Sequence, residues 1–165
     1  MKKSEVQPSR LYLESDKMSL KLMVSAVISW EGISKSFFVD PQQMKGNAPF
    51  YTDHLNNDLF PEIVKMYPNN DVIYVQDGAS SHTSNLCQDF CQVEFGTHGF
   101  VNKKQWPPAS PDLNPADYYL WPEVSRRVYE GRRTPFESLE ELKNRIIEVW
   151  PAVTTRIVSC RKAIL

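Results

Sequence analysis

The sequence predicts an α/β domain, a mixed sheet flanked by helices. Three observations carry that reading: an apolar, β-rich hairpin pattern over residues 20–40, a short and almost wholly apolar strand at Val72–Val75, and helical periodicity before it, after it and at the carboxyl end.

The first strand is read at Leu20 to Ile28, rich in Leu, Met, Val and Ile. Trp30-Glu31-Gly32 is a turn signal, Ile33 to Val39 resumes the β pattern, and Asp40-Pro41 ends it, which makes residues 20–40 an antiparallel hairpin. Residues 1–19 are polar apart from Leu11-Tyr12-Leu13, and order is expected to begin near residue 10. From Tyr51 to Met66, Leu55, Leu59, Phe60, Ile63 and Val64 recur at helical spacing, with Pro61 demanding a break or kink. Val72–Val75 reads as a strand buried on both faces, and Asp77-Gly78 sits just past its carboxyl end. Thr83 or Ser84 can cap a helix carrying Leu86, Phe90 and Val93, and Gly99 to Val101 is a further short strand. The run Trp106 to Pro115 contains four prolines and is read as a stiff loop. Asn114 as N-cap and Pro115 at the first helical position open a helix with Tyr118, Leu120, Trp121, Val124 and Val128 on its apolar face, and Gly131 stops it. Thr134-Pro-Phe-Glu137 has the form of a capping box for a last helix with Leu139, Leu142, Ile146 and Val149 on one side.

Bulk properties narrow the function classes. The 165 residues, 41% of them hydrophobic, suffice for one compact core but not for two independent domains. A formal charge of −1 means that any nucleic-acid contact must come from local patches. Cys87, Cys91 and Cys160 are an odd number behind no signal-like start, which implies a reducing compartment; Cys87 and Cys91 lack a second ligand pair with zinc spacing and are read as thiols in or near the core. The longest apolar run, Leu22 to Trp30, is about half of the roughly 20 residues a membrane span requires, so no membrane association is expected.

Carboxylates at rigid element ends are where chemistry is expected. Hard divalent cations need carboxylate oxygens from separate elements that converge, and a strand end and a first helical turn hold such groups rigidly. Asp77 and Asp117 occupy those two positions. Each also suits a plainer role, Asp77 as a turn residue before Gly78 and Asp117 as an acid favoured by the helix dipole.

The surroundings of both acids resemble one family. Val72-Ile-Tyr-Val-Gln-Asp77-Gly-Ala-Ser-Ser-His82 resembles the second-aspartate motif of mariner-type DNA transposases, a buried strand running into an aspartate, a polar turn and a histidine. Trp106-Pro-Pro-Ala-Ser-Pro-Asp-Leu-Asn-Pro-Ala-Asp117-Tyr-Tyr-Leu-Trp121 resembles the third-carboxylate motif of that family, whose final acid coordinates metal. Less closely, the likeness runs from about Lys17 to Cys160. It implies a ribonuclease H-like mixed sheet flanked by helices, with residues 1–16 a polar segment and 17–165 a partial DDE/D catalytic core. It also implies Asp77 and Asp117 as catalytic, metal-binding residues, Mg²⁺ or Mn²⁺ as cofactor, DNA strand cleavage and transfer as the reaction, DNA as partner, and a nuclear location. A homodimer is compatible with it.

Two departures qualify the likeness. Asp77 and Asp117 are separated by 39 residues, whereas Asp112 would give the 34 that is common in the family. Asp117 is preferred because it occupies the motif's metal-binding place and Asp112 its Ser-Pro-Asp turn. The family's first aspartate lies on a strand upstream of the hairpin, and no such motif precedes residue 20. The first strand is therefore expected to be missing, which leaves open whether the chain is an enzyme or a non-catalytic remnant that binds DNA or protein. Glu14, Asp16 and Asp40 are the only acids nearby. The hairpin strand is expected to pair with Val72–Val75 directly or to have residues 10–14, with Glu14, between them. His82 either shapes the site or is an ordinary turn residue. Lys103-Lys104 and Arg126-Arg127 could neutralise DNA phosphates, and a solvated helix face explains the arginines as well.

Overall fold

The computed structural model describes residues 20–44, 46–69, 71–96 and 99–162, with side chains described through residue 154. The expected start of order near residue 10, the strand-like residues 10–14, and Glu14 and Asp16 lie outside them. Strand β1 (Met23–Ser25) pairs antiparallel with β4 (Phe37–Val39), and β2 (Ile28–Ser29) with β3 (Gly32–Ile33), so the expected hairpin is present as two short ladders. The expected single strand Leu20–Ile28 breaks at Ala26-Val27. There Val27 and Ser34 bond each other, Val27 N–H to Ser34 Oγ at 2.9 Å and Ser34 N–H to Val27 C=O at 2.9 Å.

The hairpin alternates between two cores. Met23, Val27, Phe37 and Val39 pack against Tyr51, Leu55, Leu59, Ile63, Cys87, Cys91 and Phe95. Leu22, Val24, Ile28, Ile33 and Phe38 pack against Leu120, Val124, Val128, Leu142, Ile146, Trp150 and Val153. Side chains of successive strand residues point to opposite faces, so a nearly continuous apolar run is what a strand covered on both sides requires. Helices accordingly lie on both faces.

On one face, α1 (Pro41–Met44) is followed by α2 (Ala48–His54), a π-helical turn (Leu55–Leu59), α3 (Phe60–Met66) and α4 (Asn85–Phe95). Asp40 caps α1 through Oδ1, which accepts from Gln42 N–H at 2.9 Å and explains that acid structurally. The break expected at Pro61 is the π turn just before it: a proline supplies no N–H to the helical ladder, and the register widens ahead of it. On the other face, α5 (Trp121–Tyr129) follows a second π turn (Ala116–Leu120), again directly before a proline at the second helical position, and α6 (Leu139–Lys162) packs beside it. Trp150 Nε1–H donates to the Ser34 carbonyl at 2.9 Å, tying α6 to the hairpin turn from 116 residues away.

Several local expectations are corrected. Ser84 caps α4, accepting from Cys87 N–H at 3.2 Å, but the buried stripe is Cys87, Cys91 and Phe95, whereas Leu86 and Val93 are exposed. Tyr118 is exposed as well. The last helix is capped by Ser138, whose Oγ accepts from Glu141 N–H at 3.1 Å, not by Thr134; Glu141 reaches back to Glu137 N–H at 2.7 Å, so the box operates four residues later than its sequence signature. Val72–Val75 and Gly99–Val101 form no ladder, only a parallel bridge between Tyr74 and Phe100. Its two hydrogen bonds are Tyr74 N–H to Gly99 C=O at 2.8 Å and Val101 N–H to Tyr74 C=O at 3.0 Å. A side chain on Gly99, whose φ is +156°, would meet Ile73 at 2.8 Å, so the approach of the two segments needs a glycine there. The predicted direct pairing of the hairpin with Val72–Val75 is absent among the described residues: β1 pairs only with β4.

Two outcomes follow from this packing. Trp150→Ala should cost about 3–5 kcal/mol, as for other buried aromatic truncations, and Trp150→Phe about 1–3 kcal/mol for the Ser34 carbonyl left without its donor, both read from urea melts. In hydrogen exchange, the Tyr74 and Val101 amides should be protected and the Val75 amide should exchange fast, because the bridge employs only the first two.

Candidate functional site

Asp77 follows the apolar segment that enters the domain at Val72, and the residue before it anchors that segment. Gln76 is buried, and its amide is saturated: Oε1 accepts from Tyr51 Oη–H at 3.0 Å, and Nε2 donates to the His82 carbonyl at 3.4 Å and lies 3.5 Å from Cys87 Sγ and 3.6 Å from Cys91 Sγ. A polar group inside an apolar core is tolerated only with partners, so these contacts fix where the chain turns at Asp77. Both thiols are fully buried and serve Gln76, in line with their reading as core cysteines.

Past Gln76 the chain enters a turn at residues 80–83, closed by Thr83 N–H to the Ala79 carbonyl at 3.0 Å. Asp77 Oδ1 accepts from Ala79 N–H at 3.0 Å and lies 2.6 Å from His82 Nδ1. The close His82 imidazole, helped by the Ala79 amide, holds the Asp77 carboxyl below its ordinary value against the opposing effect of partial burial. All of these contacts fall on Oδ1. His82 is itself clamped, its carbonyl accepting from Gln88 Nε2–H at 2.9 Å and its ring tilted against that of Tyr51 at 4.2 Å.

Asp117 stands in the first turn of the π segment that opens the α5 helix. Asn114 serves as the expected cap, Oδ1 accepting from Ala116 N–H at 3.1 Å, and its Nδ2–H donates to Asp117 Oδ2 at 3.0 Å, orienting the acid. Asp77 and Asp117 border one cavity of about 940 Å³ between the hairpin, the Tyr74 segment and the Trp106 loop; Leu113 borders it, whereas Asp112 does not. Asp77 also borders a second cavity of about 370 Å³, shared with Lys103 and Trp106. Among the described residues no group of three His, Cys, Asp or Glu side chains is arranged to hold a metal. Asp77 and Asp117 each keep one carboxylate oxygen outside the hydrogen bonds just described.

The basic residues are less open than the sequence suggests. Lys103 Nζ donates to the Thr83 carbonyl at 3.1 Å and Asn85 Oδ1 at 2.9 Å. Arg126 and Arg127 both pair with Glu123, at 2.9 and 2.8 Å, and Arg126 also with Glu130 at 3.2 Å. Lys104 is exposed. Sequence reasoning missed Tyr51 and Gln76; the visible signal was a glutamine closing an apolar strand directly before the acid.

No family model matches the chain. The chain is nonetheless similar to mariner/Tc1-type transposases in sequence and in fold. Its sequence is 30% identical over 109 residues to the transposase of the transposable element Tc3 of Caenorhabditis elegans, a match that covers 66% of this chain and 31% of that protein. In structure it is similar to the catalytic domain of Mos1 mariner transposase (TM-score 0.58, 22% identity, covering 85% of this chain and 74% of that one) and to the Mos1 mariner paired end complex with Mn (TM-score 0.61, 23% identity, 97% and 50%). The structural likeness shows the fold, an α/β arrangement of mixed helices and strands. No described helix is long and apolar enough to cross a membrane.

The sign of the Asp77 effect gives a pH test. A carboxyl depressed in the folded state contributes stability above its ordinary value and loses it as pH falls through the depressed one. Carbonyl ¹³C NMR should find Asp77 titrating below the usual aspartate range, and His82→Ala should move that midpoint up toward it.

Proposed function

We propose that this chain is a transposase-derived nucleic-acid-binding domain with a ribonuclease H-like sheet, descended from a core for metal-dependent DNA strand cleavage and transfer. The observation that carries the proposal is that Asp77 and Asp117, each in a long motif of the family, border the same cavity. In this reading Asp77 and Asp117 hold Mg²⁺ or Mn²⁺ through their remaining oxygens, and the bound cation supplies activation of the attacking oxygen and neutralisation of charge on the phosphodiester. The Mos1 catalytic domain has been solved with Mg and with Mn, in line with that cofactor class. His82 and Asn114 orient the two acids. Lys103 and Lys104 neutralise backbone phosphates beside the second cavity, whereas Arg126 and Arg127 contribute less because Glu123 already opposes them. Activity on DNA assigns the chain to the nucleus.

A second reading is a non-catalytic remnant that binds DNA or a protein through the retained fold. Binding and turnover separate the two.

Mn²⁺ titration should show weak binding that Asp77→Ala abolishes and Asp117→Ala weakens, with Asp112→Ala unchanged. Unchanged affinity in the first two variants would place any metal elsewhere. Duplex DNA binding should weaken with salt, and Lys103→Ala and Lys104→Ala should each lower the log–log salt slope by about one, while Arg126→Ala lowers it less. Mn²⁺-dependent nicking that Asp77→Ala removes identifies an enzyme; DNA binding without nicking identifies the remnant.

A further inference from the structure

Tyr51 belongs to neither acid-bearing motif, yet its side chain reaches both ends of the turn that presents Asp77. From α2 it enters the core with only 5% of its surface exposed. Its hydroxyl donates to Gln76 Oε1 at 3.0 Å, on the residue directly before Asp77. Its ring lies 4.2 Å from the His82 imidazole, tilted by 34°, and Nδ1 of that imidazole lies 2.6 Å from Asp77 Oδ1. Asp77, His82, Tyr51 and Gln76 therefore form a closed circuit in which Tyr51 is the only member from a distant element. We propose that Tyr51 is the positioning residue of this site: its ring keeps the imidazole turned with Nδ1 toward Asp77, its hydroxyl tethers the preceding backbone, and together they aim the free carboxylate oxygen into the cavity.

The physical argument has two parts. His82 is about a fifth exposed, so solvent alone would let its ring turn over and exchange which nitrogen faces Asp77. A flat aromatic face at van der Waals distance removes that freedom. The hydroxyl then prevents Tyr51 itself from adopting another rotamer, because a buried phenol must keep its partner; burial holds that phenol well above its ordinary value, so it remains a donor. A merely space-filling tyrosine would need neither contact. The proposal rests on the reading of Asp77 as a metal ligand only for its consequence, not for the geometry.

The test uses the metal-free chain first. Long-range ¹H–¹⁵N correlation of the neutral His82 ring should show the proton on Nδ1, with nuclear Overhauser contacts from its ring to that of Tyr51. Tyr51→Phe, which keeps the ring, should preserve that tautomer; Tyr51→Leu should yield a mixture of tautomers. In Mn²⁺ titration, Tyr51→Leu should weaken binding roughly tenfold, the lower end for residues behind a metal ligand, with the phenylalanine variant close to the parent chain. A Tyr51→Leu protein that folds and keeps both the single tautomer and the parent affinity overturns the proposal. Should that variant not fold, the parent chain still decides: a His82 proton on Nε2, or no contact between the two rings, overturns it equally. Failure of the parent chain to bind Mn²⁺ would instead sink the metal-ligand reading and leave the tautomer result to stand by itself.

Discussion

Alternate residues of the hairpin bury themselves in opposite directions, Met23, Phe37 and Val39 into one core and Leu22, Val24 and Phe38 into the other, and this two-sided burial is the constraint on which the remaining architecture depends. Apolar surface removed from water on both faces supplies the main driving force, of order 25 cal/mol per Å². It obliges α2, α3 and α4 to lie on one side and α5 and α6 on the other. Trp150, bonded to the Ser34 carbonyl, then fixes the second layer against the hairpin turn.

What the hairpin does not do shapes the site as much. Its strand β1 has β4 as its only strand partner among the described residues, and the Tyr74 segment pairs only with Phe100. Between them lies the larger cavity, walled by apolar residues of both segments and bordered by the two acids. Unpaired strand backbone carries polar groups that need water or a partner, and an open cavity gives water access. The direct pairing expected from the sequence would have closed that space. The Tyr74 segment is held instead by ring contacts, Tyr74 stacked on Phe95 at 4.4 Å, and by Gln76 beneath Asp77.

The two aspartates illustrate how a flexible carboxylate is made directional. Each is gripped by a neighbour close in sequence, Asp77 by Ala79 and His82, Asp117 by Asn114, so local turn and cap chemistry orients them before any tertiary contact is counted. The grip on His82 is different in kind. It comes from Tyr51 and from Gln88, across elements, and couples the turn to the core. Likewise the arginines, plausible phosphate ligands by composition, are drawn into Glu123, a partner three and four residues away on the same helix.

By itself the sequence determined whatever depends on neighbours along the chain: the hairpin's position, a cap at Thr83 or Ser84, Asn114 as a cap, disruption at Pro61, and the two acids within their motifs. Those features follow from backbone dihedrals, hydrogen bonds spanning a few residues, and short periods. Only tertiary structure decided which stripe of α4 was buried: Cys87, Cys91 and Phe95 face Tyr51, Leu55, Leu59 and Ile63, whereas Leu86 and Val93 on the same helix do not. It also decided that Val72–Val75 would make one bridge instead of a ladder, that the final cap would fall on Ser138, and that Tyr51 would stand behind His82. Pairing and packing of this kind join residues far apart in the chain, and their free energy depends on which surfaces meet, a quantity that no local pattern contains.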